Sequence, residues 1–124
     1  MRRSSMVLLM GAMALAACDA FGPRLCPDSV NPAIVVEVRD AVSGGPAAVN
    51  SVGTLRSGAF IETIEPLGEL TLISERAGVG TYRVEVRKAG YRDWVADDVR
   101  VRETGGACSA IQTVTLRATL EPVS

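Results

Sequence analysis

The sequence predicts an all-β fold, an antiparallel β-sandwich of about seven short strands, and three observations predict it. Short runs alternate apolar and polar residues, the period of a strand with one face on a core. Clusters of Gly, Pro, Asn and Asp separate most of those runs. No segment after the first seventeen residues carries a convincing helical period, so turn-linked strands must bury one another in two layers.

The strands follow in order from residue 33. "AIVVEVRD" sets Ile34, Val36 and Val38 on one face, with Val35, Glu37 and Arg39 on the other. Ala41 to Ala47 ("AVSGGPA") is a turn cluster, because its glycines tolerate positive φ and Pro46 interrupts pairing. "AAVNSVGTL" reads as the second strand, and "AFIETIE" and "ELTLISE" as shorter ones separated by Pro66 and Gly68. "TYRVEVRK" is the clearest alternation, with Tyr82, Val84 and Val86 inward and Arg83, Glu85 and Arg87 outward. "DVRVRE" turns Val99 and Val101 inward and Arg100 and Arg102 outward. "IQTVTLRATLE" closes the series with Val114, Leu116, Ala118 and Leu120 on one face.

The first 32 residues follow different rules. Arg2 and Arg3 precede an apolar run from Met6 to Ala17, too short for a bilayer-spanning helix of about 20 residues. A basic start, a short apolar stretch and small residues at its end are the parts of a secretory signal peptide. The ending Leu15-Ala16-Ala17-Cys18 resembles a bacterial lipobox. That resemblance implies removal of residues 1–17 and attachment of diacylglycerol to Cys18, which would anchor the protein to a bacterial membrane facing the periplasm or the cell surface. Residues 18–32 hold three prolines and no period, and read as a lipidated tether. Cys18 and Cys26 are eight residues apart, a reach of roughly 27 Å when extended.

Composition bounds the remainder, residues 33–124, to one domain. Without Arg2 and Arg3, 11 basic residues face 14 acidic ones. That balance argues against nucleic acid as a partner. With Cys18 lipidated, Cys26 and Cys108 remain, and in an oxidising compartment a disulfide between them is the default. A bridge of that span is worth about 4.5 kcal/mol in the chain-entropy account. Cys26 precedes the first strand and Cys108 the last, so both fall at one end if those two strands run parallel as neighbours.

Three segments resemble carboxypeptidase regulatory-like domains. They are "VVEVRDAVSGGPAAVNSV", the Gly-x-Tyr strand with Ala-Gly-Tyr in "GVGTYRVEVRKAGYRDW", and the closing "IQTVTLRATLEP". The resemblance spans residues 33–122 but is poor over 54–75, where it leaves strand order undefined. It implies a prealbumin-like (Ig-like, transthyretin-like) sandwich, a module that stabilises or binds other proteins or glycans.

Functional chemistry is sparse. There is no histidine, so Ser–His and Cys–His nucleophile systems are absent along with the commonest general base. Gly78 to Gly80 leads into a strand rather than a helix and lacks the setting of a phosphate-binding loop. The acidic pairs Glu62/Glu65 and Asp97/Asp98 are of a kind common on surfaces. No enzyme, cofactor or metal site is expected. Two binding candidates remain. Arg83, Arg87, Arg100 and Arg102 share a face if their strands pair, joined by Arg117 if the last strand lies alongside. They suit phosphates or carboxylates, or else form an ordinary solvated face. The second is a loop over Gly90 to Asp98 carrying Tyr91 and Trp94, which either stacks a sugar or plugs one end of the sandwich. The leading expectation is a non-catalytic lipoprotein module binding an envelope protein. The alternative is a module for glycan or anionic polymer.

Overall fold

The computed structural model describes residues 31–123. They form β1 (Ile34–Asp40), β2 (Ser51–Ser57), β3 (Phe60–Ile64), β4 (Pro66–Leu67), β5 (Thr71–Ile73), β6 (Gly80–Lys88), β7 (Trp94–Glu103), β8 (Ile111–Gln112) and β9 (Val114–Leu120). One sheet has the order β4-β5-β1-β9, the other β3-β2-β6-β7-β8. The all-β prediction holds, and every pairing is antiparallel except β1 with β9, which run parallel from Ile34↔Val114 to Asp40↔Leu120.

The predicted faces meet between the sheets. Ile34, Val36, Val38, Leu72, Ala118 and Leu120 come from one sheet, and Leu55, Ile64, Tyr82, Val84, Val86, Val99 and Val101 from the other. Each fully buried aliphatic side chain contributes about 1.5–3 kcal/mol. Gly53 is required by this packing. A Cβ there would meet Cγ1 of Ile64 at 2.6 Å and Cδ1 of Leu72 at 3.1 Å, so only a bare backbone lets both side chains close over β2.

Four boundaries differ from the sequence reading. The second strand begins at Ser51 rather than Ala47, because Asn50 adopts φ 64° and ends the preceding turn. β4, not expected, follows β3 after Glu65 alone and carries the chain from one sheet to the other. The predicted last strand is two. Ile111 and Gln112 pair with β7, whereas β9 joins β1, and Thr113 at the break donates its hydroxyl to the Pro32 carbonyl at 2.7 Å.

The fourth difference is the span Trp94–Asp98, which is strand rather than loop. Tyr82 pairs with Val99 and Val84 with Ala96, so Asp97 and Asp98 together oppose Arg83. Asp98 takes φ 55°, and this β-bulge turns both aspartates outward while Ala96 and Val99 keep their core-facing side. An interrupted period of two is what disguised the strand.

Candidate functional site

The outer face of the five-stranded sheet carries the predicted arginines. Strands β6 and β7 are neighbours, and Arg83, Arg87, Arg100 and Arg102 are all exposed. The structure divides them into two groups. Nη1 of Arg83 lies 2.9 Å from Oδ1 of Asp97 across the bulge. Nε of Arg87 meets Glu85 Oε1 at 2.5 Å and Asp93 Oδ2 at 3.5 Å. Such exposed pairs contribute about 0–1 kcal/mol each, but they use up the charge at this end of the face.

Arg100 and Arg102 pair with no carboxylate among the described residues. Arg100 stands opposite Thr81 on β6, and Arg102 opposite Gln112 on β8. With Val79, Gly80, Thr81 and Val101 they line a shallow depression of about 260 Å3. Arg56 on β2, not anticipated, stands directly opposite Arg83 and also has no carboxylate partner among the described residues. The alternation of Gly53 and Leu55 inward with Thr54 and Arg56 outward was the signal that could have found it. Arg117 does not join this face, because β9 belongs to the other sheet, where Arg117 opposes Glu37.

Tyr91 and Trp94 are half-buried and pack against the core cluster. Tyr91 donates its hydroxyl to Oδ2 of Asp40 at 2.5 Å. Oδ1 of the same aspartate accepts the amides of Val42 and Ser43 at 2.7 and 2.8 Å, closing the Gly/Pro turn. These bonds, that of Tyr91 first, hold the Asp40 carboxyl below its ordinary range. The hydrogen bond to Asp40, then loss of water, then the aspartate's charge, push the Tyr91 phenol up. Nζ of Lys88 lies 5.3 Å from the Tyr91 ring centre and donates to the Ala47 carbonyl at 3.0 Å. The ring and hydroxyl of Tyr91 are therefore engaged within the fold.

The carboxylate of Glu62 is buried, 4% exposed. It accepts the backbone amides of Glu75, Arg76 and Ala77 at 2.7, 3.1 and 2.9 Å, so three consecutive donors wrap one side chain. Arg76 then reaches back, donating Nη2 to the Ile61 carbonyl at 3.1 Å and covering Phe60 at 5.3 Å from its ring centre. Glu62 is thus a buried strut and not the surface carboxylate expected, and of the two acids only Glu65 is exposed. Among the described residues no group of three or more His, Cys, Asp or Glu is arranged to hold a metal ion.

Cys108, in the loop between β7 and β8, is disulfide-bonded. Its predicted partner Cys26, and the predicted lipidation site Cys18, lie outside the described residues. The loop sits where the chain joins the fold: Nδ2 of Asn31 donates to the Ile111 carbonyl at 3.1 Å, and the Val114 amide donates to Ala33 at 2.9 Å.

The sequence matches no protein-family model, and comparison with curated proteins returns no relative.

Proposed function

We propose that this chain is a bacterial envelope lipoprotein, in which acylated Cys18 holds a prealbumin-like sandwich at the membrane as a non-catalytic structural or protein-interaction module. One observation carries the reading. The parallel pairing of β1 with β9 gathers the tether's point of attachment, Asn31 to Ala33, and the disulfide-bonded Cys108 loop at one end of the sandwich. A Cys26–Cys108 bridge fits that arrangement, since Cys26 lies only five residues before Asn31. It would fasten the first and last strands where tension from the anchor is applied. The opposite end, with its Asp40 turn and exposed Val42, then faces away from the bilayer toward an envelope partner.

The test is purification of the tagged chain from native membranes in mild detergent, with Cys18→Ser as control. A stoichiometric protein recovered with the wild type and lost in the control supports the reading. Recovery of the wild type in the aqueous phase would overturn it.

A second reading, recognition of an anionic polymer or glycan, draws support from Arg56, Arg100 and Arg102, whose charges are unpaired among the described residues. Stacking of a sugar on Trp94 draws none, because that ring packs on the core. Emission of Trp94, the one tryptophan in the chain, checks this: it should stay unchanged on addition of neutral sugars.

A further inference from the structure

We propose that Arg100 and Arg102, together with Thr81, bind the phosphate of anionic phospholipid headgroups and so seat the domain on the bilayer beside its tether. The inference rests on the lipid-anchor reading and adds to it a second, electrostatic contact.

The chemistry comes from the pairing pattern. Arg100 and Arg102 project from one strand on one face, and Thr81 adds a hydroxyl-bearing side chain directly opposite Arg100. Guanidinium groups take phosphate oxygens two at a time, and a threonine hydroxyl supplies a further donor. Neither arginine forms an ion pair among the described residues, whereas Arg83 and Arg87 on the same face do. Arg56, on β2 opposite Arg83, adds to this face a further cation with no carboxylate partner among the described residues. Val79, 56% exposed on the rim of the depression, offers an apolar contact beside the charged pair.

Position selects lipid as the source of the phosphate. Arg102 lies opposite Gln112 and Glu103 opposite Ile111, and the Ile111 carbonyl receives Asn31. The unpaired arginines therefore flank the end from which the chain runs back to Cys18. Thirteen residues separate Asn31 from Cys18, at most about 45 Å of chain. An acylated cysteine that close to a surface keeps this end of the sheet within reach of the headgroups. A basic patch beside an acyl anchor is the pairing of signals that makes membrane attachment stable.

The test uses the mature chain, residues 18–124 with Cys18→Ser, which lacks the acyl anchor and the apolar leader and keeps the arginines, and measures co-sedimentation with vesicles of phosphatidylcholine alone or with phosphatidylglycerol. The expected result is binding to the anionic vesicles only, abolished in roughly 0.5 M salt, where the screening length falls to a few ångströms. Arg100→Gln with Arg102→Gln should weaken that binding roughly thirtyfold, the equivalent of about 1 kcal/mol per arginine at an anionic surface. Arg117→Gln, on the other sheet, should bind as the parent does. All of these side chains are exposed, so matching thermal melts verify that the variants fold. Equal binding to neutral vesicles, no binding, or binding of soluble polyphosphate or polygalacturonate without vesicles overturns the proposal. Lipidation of the wild type is scored separately by detergent-phase partitioning, so a failed anchor and a failed headgroup site give different results.

Discussion

Two carboxylates at opposite ends of the sandwich do similar work by different means. Glu62 is buried on β3 and gathers three successive backbone amides from residues 75–77. Asp40 closes the turn after β1, takes two amides, and accepts the Tyr91 hydroxyl from the turn between β6 and β7. Each joins the two sheets, because β3 and Tyr91 belong with the five-stranded sheet while residues 75–77 and Asp40 continue from the other. The difference is solvent. Glu62 is buried and holds three amides, whereas Asp40 lies nearer solvent and its bonds lower its pKa, so the fastening at Asp40 responds to pH.

Removing Glu62 breaks the comparison most severely. Glu62→Ala should cost about 3 kcal/mol in urea unfolding, since it leaves three amide donors without their acceptor. Glu62→Gln, which keeps one acceptor oxygen, should cost about half as much. Gly53→Ala probes the core beside Ile64, two residues from Glu62 on β3, without touching a polar group. It forces Ile64 and Leu72 aside and should cost about 2 kcal/mol by overpacking. If amide exchange at residues 75–77 accelerates in Gly53→Ala as in Glu62→Ala, the Glu62 strut and the core beside Gly53 open as one unit.

The other end should yield a smaller, pH-shaped effect. The folded Asp40 pKa is depressed, so its contribution is complete above the ordinary carboxylate range and is lost as pH falls through the folded value. The Tyr91 pKa is raised, so its contribution is complete below the ordinary phenol range and is lost as pH rises through the folded value. The stability difference between wild type and Tyr91→Phe should therefore be a plateau across neutral pH that declines in both acid and strong alkali. A flat difference at every pH would show that the hydrogen bond contributes nothing to folding. The smallest effect belongs to the outer face, where Arg83→Gln should change stability by less than about 1 kcal/mol because both partners are exposed.

Legibility in the sequence tracked local period. β1 and β6 were readable because alternation runs through them unbroken and both faces of each strand behaved as their residue types require. β7 was readable only after Asp98, where the bulge stops disturbing the count. Thr113 was passed over as a break, although Ile111 and Val114 are three apart and the period of two slips there, at the point where the strand changes sheets. The arginine face was half legible. Outward direction followed from alternation, but the ion pairs that silence Arg83 and Arg87 depend on the bulge and on the placing of Asp93.

By itself, then, the sequence determined the all-β class, the inward residues of the long strands, and the absence of histidine chemistry, because each depends on residue type or on neighbours one or two positions away. Tertiary structure decided which sheet each short strand joined, which carboxylates became structural, and which arginines kept free charge. Those outcomes rest on contacts such as Tyr91 with Asp40, 51 residues apart, and Asn31 with Ile111, 80 apart. No local pattern encodes such pairs; they form only when the two sheets close and bring the partners together.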